Sequence, residues 1–174
     1  MTNPNQATPR ILAAHEIDLP AIAWLAGVIW RTHYPGMISA EQIEYMLVKM
    51  YALETLREDI DLRAIRYVQL FVGEELAGFA ALGPEEQPKL FKLHKLYLHP
   101  ARHGRGLGSL LLSHCEREAG RLGADRLMLT VNKLNVKAMA AYQRNGFAIT
   151  NSVMVEIGGG FVMDDYVMEK ELKT

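Results

Sequence analysis

The 174-residue sequence predicts an α/β (α+β) fold, with a central sheet of about seven strands flanked by helices. Three observations predict it. Strand-like runs at Tyr67–Val72 and Leu76–Leu82 are separated only by Gly73, Glu74 and Glu75, and runs at Ala148–Ile157 and Phe161–Glu169 only by Gly158, Gly159 and Gly160. Such spacings make antiparallel hairpins. Between them, the alternating run Lys89–His99 passes through a glycine loop directly into a helix and then into another strand.

In chain order, Arg10–Ala14 reads as a short first strand. Asp18 then caps an apolar-rich helix that reaches about Thr32 and is stopped by Pro35 and Gly36. Ser39, Ala40, Glu41 and Gln42 form a capping-box pattern, after which Ile43, Met46, Leu47 and Met50 recur at helical spacing. Thr55–Asp61 adds a short third helix before the first hairpin. In Lys89–His99, Leu90, Lys92, His94, Leu96 and Leu98 share one parity, which a regular strand would place on one face. Leu107, Leu110, Leu111, His114, Cys115, Glu118 and Leu122 set a helix closed by Gly123, and Arg126–Val131 alternates again. Leu134–Asn145 is a helix with Gly146 at its exit, and the glycine-turned hairpin ends the chain.

Neither repeats nor linkers divide the sequence, so residues 1–174 read as one domain, with 1–9 expected to be disordered. Hydrophobic residues make up 49%, enough for a sizeable core, and the formal charge of −1 argues against bulk nucleic-acid binding. The longest apolar run, Ala21–Trp30, has ten residues, short of the roughly 18–20 that cross a bilayer, so no membrane span is expected. The N-terminus lacks the basic-then-apolar pattern of a signal peptide. Cys115 is the single cysteine, so no intramolecular disulfide and no Cys-based metal site is expected, and a cytoplasmic location fits.

The segment His103, Gly104, Arg105, Gly106, Leu107, Gly108, Ser109 follows a strand and opens a helix. Glycines let backbone approach an anion closely, and a helix N-terminus offers unpaired N–H groups and partial positive charge, a combination suited to pyrophosphate. The spacing fits neither a Walker loop nor a dinucleotide fingerprint. A plain glycine turn is the alternative. Residues Gln87–Cys115 also hold Lys89, Lys92, Lys95, Arg102 and Arg105 without any acidic residue, a window of +5 against −6 for the rest.

From Lys92 to Phe147 the chain resembles the central region of the GNAT superfamily of acyl-CoA-dependent N-acetyltransferases. The family's loop, Gln/Arg-x-x-Gly-x-Gly/Ala, is matched by His103–Gly108, and its Asn-x-x-Ala-x-x-x-Tyr-x-x-x-Gly-Phe helix by Asn135, Ala138, Tyr142, Gly146 and Phe147. The resemblance implies a mixed, mostly antiparallel sheet whose strands four and five splay apart, with an acetyl-CoA core at 89–147. It implies acetyl-CoA as co-substrate, held by Leu96, Tyr97 and Leu98, by the loop from His103 to Ser109, and by Asn132, Asn135, Ala138 and Tyr142. Both asparagines have the alternative of shaping the loop and capping the helix. His103 departs from the family's Gln or Arg, which implies weaker coenzyme binding, with Arg102 and Arg105 compensating.

Acetyl transfer to an amine needs a deprotonated nitrogen, a donor to the oxyanion and a proton for the departing thiolate. By resemblance the Leu98 backbone is the oxyanion donor and Tyr142 the general acid. Tyr142 has the alternative of packing its helix on the sheet. The family's strand-four Glu aligns with Lys92, which is protonated at its usual pKa, so His94 becomes the candidate base, with a water chain as the alternative.

Trp30, His33, Tyr34, Met50 and Tyr51 offer aromatic and apolar walls for an acceptor, and Asp164, Asp165 and Tyr166 a negative edge for an ammonium. Trp30 and Met50 have the alternative of lying in the core, and the two aspartates of capping a strand end. The expected function is acetylation of a small primary amine such as a polyamine or an amino-acid derivative, without a metal, membrane or nucleic acid, in a monomer or homodimer. Protein N-terminal or lysine acetylation and a non-catalytic acyl-CoA-binding regulatory domain are the alternatives.

Overall fold

The computed structural model describes residues 7–172. Its strands are β1 (Pro9–Ala13), β2 (Arg66–Val72), β3 (Glu75–Pro84), β4 (Leu90–Leu98), β5 (Arg126–Asn132), β6 (Ala148–Gly158) and β7 (Phe161–Glu171), and its helices α1 (Leu19–His33), α2 (Ala40–Tyr51), α3 (Leu53–Asp61), α4 (Leu107–Arg121) and α5 (Val136–Arg144). One sheet runs β1-β2-β3-β4-β5-β7-β6. All its neighbours are antiparallel except β4 and β5, which the α4 crossover makes parallel. Among the described residues, no helix is long and apolar enough to cross a membrane.

The expectation of disorder over residues 1–9 falls partly outside the described residues. Within them it fails at Pro9, which pairs with Val72 at the start of β1. The capping predictions also change in detail. Asp18 makes no side-chain cap on α1, and its carboxylate instead accepts the His15 N–H at 2.8 Å. Ser39 caps α2 by accepting the Gln42 N–H at 3.1 Å. The Gln42 side chain does not fold back to complete a box. It donates to Val162 O at 2.9 Å and ties α2 to the final hairpin.

Apolar residues pack in two clusters, one on each side of the sheet. Leu107, Leu111, Leu112 and Cys115 of α4, with Met139 and Tyr142 of α5, cover Ala80, Leu93, Leu127 and Leu129. Leu25, Ile29 and Trp30 of α1, Ile43 and Met46 of α2, and Leu56 of α3 cover Tyr67, Phe79 and Ala81. Cys115 is buried, and that burial pushes its thiol up to about 12.

β4 is not the regular strand its alternation predicts. Ala81 pairs with Lys95 and Leu82 with Leu93, so His94 is an extra residue in a bulge. Past it the parity inverts. Phe91, Leu93, Leu96 and Leu98 face the α4/α5 cluster, whereas Tyr97 packs under α1–α3.

Candidate active site

β4 and β5 pair only from Leu90↔Arg126 to Lys92↔Met128 and then part. The His99 N–H donates to Ala77 O at 2.8 Å, which fixes the direction of every backbone group along β4. Residues of that parity, Tyr97 among them, direct N–H and C=O toward β3, and the intervening ones, Leu96 and Leu98, direct theirs into the gap. This bears on one predicted coenzyme contact: the Tyr97 backbone is committed to β3, and its hydroxyl lies 3.4 Å from that of Tyr34 on the other side of the sheet.

Beyond the strand, His99 Nδ1 accepts the Ala101 N–H at 3.2 Å and shapes a 3-10 turn. Gly104 and Gly106 both adopt φ +74°, a left-handed conformation that L side chains seldom take, and a Cβ at either would meet nothing within 4 Å. Gly106 caps α4, whose first helical bond runs from Leu110 N–H to Gly106 O at 3.0 Å, so the preceding N–H groups of Leu107, Gly108 and Ser109 have no carbonyl inside the helix. A Cβ on Gly108 would stand 3.5 Å from the Leu98 side chain, so loop and strand are in close contact. The open backbone cradle at the mouth of the gap fits a pyrophosphate.

Side chains of the basic window are largely turned to other work. The His103 ring N–H donates to Leu98 O at 3.1 Å, fastening the loop to β4. Arg102 is ion-paired with Glu75, Lys89 with Asp125, and Lys95 with Asp59. Ser109 Oγ accepts from Asn145 Nδ2 at 3.1 Å, linking α4 to the end of α5. Asn135 caps α5 by accepting the Ala138 N–H at 3.3 Å, and Asn132 Oδ1 accepts the Leu134 N–H at 2.9 Å. Both carbonyl oxygens are thus committed to holding the loop.

On the opposite side of the gap is a group of aromatic rings. Trp30 is only 2% exposed, so it is a core residue rather than an open wall. Its ring lies 4.4 Å from Tyr34 and 6.0 Å from both Tyr51 and Tyr97, centroid to centroid. Burial raises the Tyr142 pKa above the usual phenol value, with Tyr34 and Cys115 adding to the effect, so the phenol keeps its proton. Burial, then Lys92 and Lys95, lower the His94 pKa to about 4, and its Nε2 is buried without a partner.

Asp164 and Asp165, adjacent in sequence, have different fates. Asp164 is ion-paired with Lys133. Asp165 is 4% exposed, its Oδ1 has no hydrogen-bond partner, and burial first, then Asp164, raises its pKa to about 6. Tyr45 donates to Ile157 O at 2.8 Å and Lys49 Nζ donates to the same oxygen, so with Gln42 three side chains of α2 hold the final hairpin. A cavity of about 400 Å³ opens at the rim between Ile38, Ser39, Gln42, Asn132, Lys133 and Val162. Among the described residues, no group of three or more His, Cys, Asp or Glu is placed to hold a metal ion. Sequence reasoning missed the bulge and the Tyr34–Tyr97 contact, because both depend on how β4 meets β3 and α1.

Comparison with known proteins agrees with this geometry. The profile of the acetyltransferase (GNAT) family matches residues 30–147. Streptothricin acetyltransferase of Streptomyces lavendulae is 34% identical over 91 residues, 52% of this chain and 47% of that one, so the match spans about half the length of that relative. Spermidine N(1)-acetyltransferase of Thermoplasma acidophilum is 27% identical over 162 residues, 90% of this chain and 93% of that one. The crystal structure of the PaiA N-acetyltransferase of Thermoplasma acidophilum in complex with coenzyme A superposes with a TM-score of 0.78 at 26% identity, covering 94% of this chain and 99% of that one. With its splayed β4 and β5, its glycine cradle and this profile match over most of its length, the chain belongs to the GNAT family of acetyltransferases.

Proposed function

We propose that the protein transfers the acetyl group of acetyl-CoA to the primary amine of a small molecule, of the polyamine or amino-acid-derivative kind. The observation that carries this reading is the gap itself: after Lys92, β4 presents the Leu96 and Leu98 backbone to no strand. A pantetheine arm supplies amides that substitute for that strand. The pyrophosphate is received by the backbone of Gly104–Ser109, and the Leu98 N–H is the donor to the thioester oxygen as it becomes an oxyanion. Tyr142, protonated and half-buried against the α4 cluster with Phe147 beside it, donates to the departing sulfur.

A small acceptor is favoured over a protein segment by the hydrogen bonds that fasten α2 to the β6–β7 hairpin. An extended peptide needs an open groove, and these bonds bridge the acceptor side. The test is calorimetric binding of acetyl-CoA, followed by a CoA-release screen against amines, amino acids and peptides. Saturable binding with turnover of small amines supports the reading. Absence of binding refutes it.

A further inference from the structure

We propose that Asp165 is the acceptor-binding carboxylate of the cleft, where its Oδ1 receives the ammonium of a cationic primary amine and takes one of its protons before the nitrogen attacks the thioester. This rests on the acetyltransferase reading above and assigns within it the substrate's charge state and the first proton acceptor.

The fold leaves one buried carboxylate oxygen of β7 unsatisfied. Asp165 lies on β7 opposite Asn132, in the interior of the sheet, and no hydrogen bond reaches its buried Oδ1. Leaving such a group without a partner is costly, and replacing it by a neutral residue would relieve the cost, so its presence points to a ligand. Its neighbour Asp164 lines the cavity at the rim and is ion-paired with Lys133, which separates its charge from that of Asp165.

Position supports the same conclusion. Met163 packs with the α1–α3 cluster, whereas Tyr166 and Met168 pack with the α4/α5 cluster, so strand alternation puts Asp165 on the α1–α3 face, where the tyrosines lie. The charged and titratable groups around it are Tyr34 of α1, Lys92 of β4, Lys133 of the β5–α5 loop and Asp164 of β7. The Tyr34 hydroxyl meets that of Tyr97, and Tyr34 is felt electrostatically by Tyr142, while the Asp165 charge is felt in turn by Tyr34, so Asp165 and the group expected at the sulfur share Tyr34 as a neighbour in their electrostatic surroundings. Aromatic faces beside a carboxylate favour an ammonium over a neutral amine.

One N–H bond of the ammonium breaks and its proton goes to Asp165 Oδ1. The freed lone pair forms the C–N bond as the carbonyl π pair moves onto oxygen, where the Leu98 N–H meets it, and the return of that pair breaks the C–S bond, whose electron pair remains on sulfur. Tyr142 gives its proton to the thiolate and is reprotonated by the second excess proton of the nitrogen, and Asp165 releases its proton to solvent. A carboxyl raised to about 6 accepts that proton better than an ordinary carboxylate, and better than an imidazole lowered to about 4.

The test uses spermidine as a cationic probe and 4-methoxyaniline as an amine that is neutral at pH 7, measuring CoA release over the pH range. Spermidine should be turned over with an acid limb in kcat/KM near pH 6 and an alkaline limb at the amine's own pKa, and the arylamine should be a poor substrate. Asp165→Asn should lose at least about 100-fold in kcat/KM together with the acid limb, and Asp165→Glu should restore part of both. Acetyl-CoA affinity by calorimetry should stay within about twofold in both variants, and thermal melts should show both folded. An Asp165→Asn variant within about threefold of the parent, an acid limb near pH 4 that His94→Gln removes, a preference for the arylamine, or acetyl-CoA binding without turnover of either amine would each overturn the assignment. If the parent chain fails to bind acetyl-CoA, the acetyltransferase reading itself is at fault.

Discussion

Lys95→Met tests the buried ion network beside the bulge. Lys95 Nζ lies 3.0 Å from Asp59 Oδ2 and 2.6 Å from the Tyr67 hydroxyl, which itself donates to the same carboxylate oxygen at 2.5 Å. The side chains of Lys95 and Asp59 are 6% and 4% exposed. Arg63 reaches the other Asp59 oxygen at 3.1 Å from a largely exposed position. Removing one partner of a buried pair costs about 3–5 kcal/mol, because the other charge stays desolvated. Arg63 and Tyr67 still hold Asp59, so the low end applies, about 3 kcal/mol. For a domain of this size that lowers Tm by about 6–12 °C.

Burial holds the Lys95 pKa below the usual lysine value in spite of Asp59, so attraction does not fully offset desolvation. Replacing both charges should therefore cost less than removing one. Urea unfolding followed by circular dichroism would measure the two single variants and the Asp59→Asn/Lys95→Met double variant. A coupling of at least about 2 kcal/mol is expected, with an unchanged m-value. A Lys95→Met loss below about 1 kcal/mol, or a double variant equal to the sum of the singles, would refute the reasoning.

Gly158→Ala should destabilise by about 2 kcal/mol in thermal melts, since the residue sits at φ +91° and a Cβ would stand 2.5 Å from the Tyr45 hydroxyl. Its acceptor KM should rise while acetyl-CoA affinity holds. Gly106→Ala, at φ +74°, should weaken acetyl-CoA binding about tenfold by calorimetry through backbone strain at the cradle. Tyr142→Phe should lower kcat by about 10²-fold or more and leave acetyl-CoA affinity unaltered. His94 carries a stability signature: its folded pKa of about 4 lies below its unfolded value near 6.5, so the unfolded chain binds the proton first and stability falls as pH drops through that window. His94→Gln should flatten that limb by up to about 3 kcal/mol, measured as denaturant midpoints at pH 7.5 and 4.5. Asp165 acts in the opposite sense, because its raised carboxyl makes stability fall as pH rises through about 6.

Features written locally were legible in the sequence. The three glycines at φ +91°, +62° and +78° make the final turn the sequence predicts, and Asn135, Tyr142, Gly146 and Phe147 fall on α5 and its exit where the family pattern puts them. Features made by register were not. The bulge at His94 exists because β3 offers Ala81 and Leu82 to three residues of β4, and alternation along one strand carries no trace of its partner. The +5 window misled for the same reason. Glu75, Asp125 and Asp59, which neutralise Arg102, Lys89 and Lys95, are brought to them by folding.

Those pairs replace a division of charge along the chain with a division between the two faces of the sheet. On the proposed reading the coenzyme side is read mainly by backbone: Leu96 and Leu98 at the gap, Gly104, Gly106 and the first N–H groups of α4 at the loop. Backbone recognition tolerates many side chains but demands glycine at particular φ values, so it leaves a short motif that sequence alone exposes. On the same reading the opposite face recognises its ligand by side chains. Trp30 Nε1, the Tyr51 hydroxyl, His94 Nε2 and Asp165 Oδ1 are buried there without partners, and among the described residues no side chain of the glycine loop, α4 or α5 is left in that condition. Polar atoms kept dry and unpaired are costly to the fold, and these come from α1, α2, β4 and β7, elements far apart in the chain. A site assembled in that way specifies its ligand through three-dimensional placement, which is why the coenzyme could be read from a loop and the acceptor could not.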